Sequence, residues 1–122
     1  MDHSPGFLKI VEEAKPRVTE ISLADARRLL STNQESVLID VREDTEWANG
    51  RAENAVHLGK GILERDIENT FSDKNKTLVM YCGGGYRSIL TADVAQKMGY
   101  KNVLSLQGGY KALVAAGWKI VK

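Results

Sequence analysis

Cysteine is almost missing from this chain: Cys82 stands alone among 122 residues. One thiol excludes an internal disulfide framework and a Cys-x-x-Cys redox pair. Net charge is nearly absent as well, at +1, so no strong field toward nucleic acid or a membrane surface arises. Long apolar runs are lacking too. The longest, Ala112 to Trp118, is broken by Gly117 and is far too short to cross a bilayer. The first residues have no unbroken apolar stretch of the kind a secretory leader carries, which makes a cytoplasmic protein the expectation. No repeat, linker or low-complexity tract argues for a second domain. What is present, 43% hydrophobic residues, suffices for a single core.

The chain alternates helical and strand patterns. Pro5 follows Ser4 as the first residue of a predicted helix, with Phe7, Ile10, Val11 and Ala14 on one face and Pro16 as its stop. Residues 1–16 thus form an N-terminal helical extension expected to pack on a domain at 17–122. Within that domain, Val18 to Ile21 predicts a short strand, and Ser22 with Asp25 predicts a capped helix carrying Leu23, Ala26, Leu29 and Leu30. Further strands are expected at Val37 to Val41, Ala55 to Leu58, Thr77 to Tyr81 and Val103 to Leu106. Strands separated by helical segments favour an α/β fold, with a parallel five-stranded sheet covered by helices on both faces. In such sheets ligands sit at the carboxyl ends of the strands.

Cys82 falls at such an end. The run Thr77 to Tyr81 leads into it, and Gly83, Gly84, Gly85, Tyr86, Arg87 and Ser88 follow. From Ser88 the repeat of Leu90, Val94 and Met98 predicts a helix, with Gly99 at its cap. The amides of 83–88 have no strand partners, and glycine lets them curl toward one centre at the positive end of the helix dipole. An ordinary thiol is only about three per cent ionised at neutral pH. The dipole contributes roughly 0.3–1 kcal/mol toward the anion, so converging N–H donors and the Arg87 guanidinium are expected to supply the rest. The residues alone describe a nucleophile in an anion cradle.

The segment Cys82 to Ser88 resembles the active-site loop of the rhodanese family of sulfurtransferases in its single-domain form. Leu38 to Arg42 resembles that family's strand ending in Asp-x-Arg, and Glu46 with Gly50 to Leu58 resembles the stretch that follows. Gly99 Tyr100, Gly108 Gly109 Tyr110 and Gly117 match its closing pattern, so the likeness runs from about Ile21 to Val121. Arg51, Ala52 and Asn54 depart from the second motif, and Asn54 can still hold a left-handed turn. The resemblance implies a thiosulfate sulfurtransferase-like enzyme without metal or cofactor. Cys82 would be its catalytic residue, attacking a small anionic sulfur donor, with Gly83 to Ser88 binding it. The resulting persulfide would pass to an external thiol or dithiol protein, or to cyanide. Neither nucleic acid nor membrane is implied as a partner, and the oligomeric state stays open. Dual-specificity cell-cycle phosphatases share the fold but place five residues between Cys and Arg. Here there are four, Gly83 to Tyr86, which suits a sulfur-sized atom. A non-catalytic binding module is the other alternative, although such modules often lose the cysteine.

Other residues admit two roles. Asp40 and Arg42 are read first as an ion pair organising the loops beside Cys82, and second as substrate contacts. His57 is read as a structural hydrogen-bonding residue ahead of a general base, because a thiolate held by the cradle needs no base. Trp47 and Trp118 are read as packing residues. Tyr86 is placed at the pocket mouth. Lys60 and Arg65 are read as solvated charge before steering groups for an anionic donor.

Overall fold

Strand-forming residues at 37–41, 77–81 and 103–106 can bury both faces of a strand, and in the computed structural model, which describes residues 3–122, they form the middle of a sheet. The order of elements is α1 (Pro5–Ala14), a 3₁₀ turn (Lys15–Arg17), β1 (Thr19–Ile21), α2 (Leu23–Thr32), β2 (Val37–Asp40), α3 (Asp44–Ala48), β3 (Arg51–Ala52), β4 (Val56–His57), α4 (Lys60–Thr70), β5 (Thr77–Tyr81), α5 (Arg87–Lys97), β6 (Asn102–Leu106), α6 (Gly109–Ala115) and β7 (Ile120–Val121). Five strands form a parallel sheet in the order β1-β6-β5-β2-β4, with β5 in the middle. Its register sets Leu38 beside Val79 and Leu78 beside Val103.

Alternation along β2 and β5 divides the core in two. Ile39, Leu78, Met80 and Cys82 face α4 and α5, where Leu63, Ile67, Ala92 and Ala95 meet them. Leu38, Val79 and Tyr81 face the other way, onto Ala26 of α2 and Leu113 of α6. Helices therefore cover both faces, as the α/β pattern requires.

Two features lie outside the sequence expectations. β3 and β7 make a small antiparallel sheet that pairs Ala52 with Ile120. Several expected boundaries also move inward: Val41 and Leu58 leave their strands but keep the ladder, with Val41 N–H donating to the Tyr81 carbonyl and Leu58 N–H to that of Asp40.

α1 starts as expected, its Ser4 hydroxyl accepting from Phe7 N–H at 3.4 Å. The face it buries is narrower than the apolar pattern implies. Val11 and Ala14 pack on Ile89 of α5 beside Phe7, whereas Ile10 is 49% exposed. One helix packing on another buries a stripe at i, i+4 and i+7, and Ile10 lies at its edge. α1 ends at Ala14, ahead of Pro16 as expected, and a 3₁₀ turn that includes Pro16 follows it. There Arg17 grips Asp93 of α5 with two hydrogen bonds of 2.9 Å. No helix among the described residues is long and apolar enough to cross a membrane.

Candidate active site

Cys82 directly follows the middle strand and α5 begins five residues later, so the connecting loop must reverse direction within a few residues. Gly85 makes this possible with φ of +99°, and it packs so closely on Gly108 that a Cβ would lie 3.1 Å from the Gly108 nitrogen. The loop is fixed from the other side by α6. Tyr110 N–H donates to the Cys82 carbonyl at 2.7 Å and Lys111 N–H to that of Gly83 at 3.1 Å. Gly109 permits that approach: with φ of +54°, any Cβ there would collide with the Cys82 carbonyl.

The curled loop brings donors to the sulfur. Gly85 N–H reaches Sγ at 3.2 Å and Ser88 N–H at 3.4 Å, while Ser88 Oγ lies 3.6 Å away. Ser88 is held in turn by a 2.7 Å hydrogen bond with Ser105 Oγ of β6. Among the described residues, the amides of Gly83, Gly84, Tyr86 and Arg87 have no protein acceptor. Two amides of the loop are thus spent on Sγ, and the other four have no acceptor within the protein. Cys82 itself is 1% exposed and sits in the wall of a cavity of about 1120 Å³.

Arg87 lines the cavity together with Cys82, and the two interact electrostatically, but its guanidinium is also engaged within the protein. Both of its terminal nitrogens bind the Glu46 carboxylate, at 2.7 and 2.9 Å. Glu46 also accepts from Glu43 N–H at 3.1 Å, which closes the first turn of α3. The hydrogen bonds from Arg87 hold the Glu46 carboxyl below its ordinary range despite partial burial, and those to Glu46 raise Arg87. The pair therefore ties α3 to the start of α5.

Asp40 and Arg42 are buried on the opposite face of the sheet from Sγ, and neither lines the cavity. Arg42 binds Asp40 at 2.9 Å and donates to the Gly50 carbonyl at 2.6 Å. Tyr81 O–H donates to Asp40 at 2.6 Å while accepting from Ala52 N–H. Burial, then the bond to Asp40, raise the Tyr81 pKa. The Arg42 guanidinium lies 4.0 Å from the centre of the Tyr110 ring, and Tyr110 is the residue whose amide holds the Cys82 carbonyl. The pair thus reaches the loop through Tyr110 and not by direct contact.

The remaining candidates separate clearly. His57 Nε2 bonds to the Arg42 carbonyl at 2.9 Å, and its ring stacks on Trp47 at 4.6 Å. Arg51 lies over Trp47 and Arg27 over Trp118, so both tryptophans serve packing. Asn54 takes its left-handed turn at φ of +69°. Arg65 pairs with Asp66 away from the cavity, and Lys60 does not line it either. Tyr86 is 39% exposed at the cavity mouth.

Sequence reasoning missed several contributors, Glu46 among them. Ser105 was visible as a lone hydroxyl in an apolar strand, but its partner is 17 positions away. Lys111 lines the cavity from α6, and His3 and Phe7 line it from the other side. No local pattern marks those contacts.

A parallel sheet whose middle strand ends in a cysteine loop of this shape defines the class. The chain belongs to the rhodanese-like family, whose model, described as Rhodanese-like domain, matches residues 22–116. It is 36% identical over 95 residues to the YtwF protein of Bacillus subtilis, provisionally named a sulfurtransferase, across 78% of this chain and 89% of that protein. Among solved structures it resembles a Rhodopseudomonas palustris protein of unknown function, RPA3614, described as a possible tyrosine phosphatase. That likeness has a TM-score of 0.86 and 30% identity, and covers 99% of this chain and 98% of the other. It also resembles the polysulfide-sulfur transferase homodimer of Wolinella succinogenes, with a TM-score of 0.79 and 26% identity over 95% of this chain and 87% of that one.

Proposed function

We propose that this chain is a sulfurtransferase in which Cys82 carries a sulfane sulfur as a persulfide. The thiolate attacks the outer sulfur of a donor such as thiosulfate. The new S–S bond forms as the donor's own S–S bond breaks, and sulfite leaves with the electron pair. An external thiolate then attacks the outer sulfur of the persulfide and regenerates Cys82. The acceptor must be external because the chain has no second cysteine. A small thiol, a dithiol protein or cyanide can take that place.

One observation supports this reading: two amides and a serine surround Sγ, while four further amides of the same loop have no acceptor within the protein. Preorganised donors aimed at developing negative charge are the largest single aid to such a step. The sulfurtransferase names of relatives support the same chemistry. Gly83 to Ser88 bind the transferred sulfur, with Arg87 and Glu46 fixing the loop, and Asp40 and Arg42 support it from behind. The helical segment ahead of residue 17, described from residue 3 onward, is read as an appendage on a domain at 17–122. A compartment that keeps thiols reduced, such as the cytoplasm, suits a carrier that works as a free thiolate.

The description of RPA3614 favours a second reading, phosphatase activity at the same cysteine. Four residues between Cys82 and Arg87, and an Arg87 committed to Glu46, weigh against it. Thiocyanate formed from thiosulfate and cyanide by the wild type and not by Cys82→Ser is the expected result. Cys82-dependent phosphate release from an aryl phosphate, without sulfur transfer, would replace the proposal with the phosphatase.

A further inference from the structure

The cavity over Cys82 is much larger than a five-atom inorganic donor needs. Its charges also fail to select a dianion. Glu43 and Glu46 oppose Arg87 and Lys111 around it, and Arg87 already gives both terminal nitrogens to Glu46. What the cavity has instead is an aromatic side. Phe7 of α1 lines it, His3 stacks at 5.3 Å from Phe7 and lies 4.4 Å from the Tyr86 ring, and Ala112 adds apolar surface from α6. Tyr86 is a large exposed aromatic in a loop otherwise made of glycine, and the stripe that docks α1 on α5 begins at Phe7.

We infer that Phe7 and Tyr86 form a substrate wall that selects sulfane-sulfur donors with an apolar organic body over inorganic thiosulfate. This rests on the sulfur-relay reading and names the substrate class of that site. With an aromatic thiosulfonate, the Cys82 thiolate attacks the terminal sulfur, and the bond from that sulfur to the sulfonyl sulfur breaks. The sulfinate leaves with the electron pair. One negative charge leaves with the sulfinate and one stays on the persulfide, so charge and atoms balance. Thiosulfate reacts identically with an oxyanion in place of the ring, so the two donors differ in body and charge and not in chemistry. Burying most of a phenyl ring against such a wall is worth roughly tenfold or more in rate.

The test is single-turnover loading of Cys82 from benzenethiosulfonate and from thiosulfate, each rate divided by that of the same donor with free cysteine. In the wild type the normalised ratio is expected to favour benzenethiosulfonate by about tenfold. Phe7→Ala and Tyr86→Ser are each expected to bring it toward one. Tyr86→Ser does not touch the helix packing, so its effect stands even where Phe7→Ala loosens α1. A wild-type ratio at or below one, or a ratio that neither variant moves, overturns the inference and leaves the relay standing. Failure of every donor to load Cys82 overturns both.

Discussion

At the scale of single residues, the loop depends on groups that never touch a substrate. Gly109 is the sharpest case, since a methyl group there meets the Cys82 carbonyl in a left-handed backbone. Gly109→Ala is expected to cost about 2 kcal/mol or more in urea unfolding and to slow sulfur loading at Cys82, because the loop must shift to admit the Cβ. Tyr81→Phe removes the hydroxyl that donates to Asp40 and accepts from Ala52, both buried. The expected loss is about 1–3 kcal/mol, read as a lower urea midpoint with an unchanged slope. Cys82, Ser88 and the loop glycines were legible in the sequence because they act on their own neighbours. Glu46 and Ser105 were not assigned these roles, since their partners are 41 and 17 positions away and only the tertiary fold brings them together.

At the scale of elements, two ion pairs tie helices to α5. Glu46 of α3 has its pKa lowered by Arg87, and Asp93 of α5 has its own lowered by Arg17. Carboxyls lowered on folding stabilise fully above their unfolded pKa, and that stability is lost as pH falls through the folded value. The stability gap between wild type and Glu46→Gln is therefore expected to be complete at neutral pH and to close in acid below the ordinary carboxylate range. It should be about 0.5–1 kcal/mol in urea titrations, because the pair is partly exposed. Asp93→Asn breaks the contact that a half-exposed Arg17 makes with a buried carboxylate, and faster amide exchange in α1 is the expected local signature. The central strands could be read from the sequence because burial on both faces leaves continuous apolar runs. β3 and β7 could not, because two-residue strands carry no period. Ile10 misled for a related reason: periodicity marks which residues are apolar, while the partner decides how wide a stripe is covered.

At the scale of the whole molecule, the sheet delivers one thiol to the carboxyl edge of its middle strand, and helices from both sides hold the loop around it. α5 supplies the Ser88 amide, α6 anchors the loop carbonyls, α3 braces Arg87, and α1 walls the cavity. On the proposed sulfur relay, Cys82 is the sole covalent carrier and the product passes to another molecule. Intact mass after incubation with a sulfane-sulfur donor tests that most directly. The wild type is expected to gain the mass of one sulfur atom, to lose it on adding a thiol acceptor, and to gain nothing as Cys82→Ser. No gain from thiosulfate, an organic thiosulfonate or a persulfide donor, or an equal gain in Cys82→Ser, would contradict it.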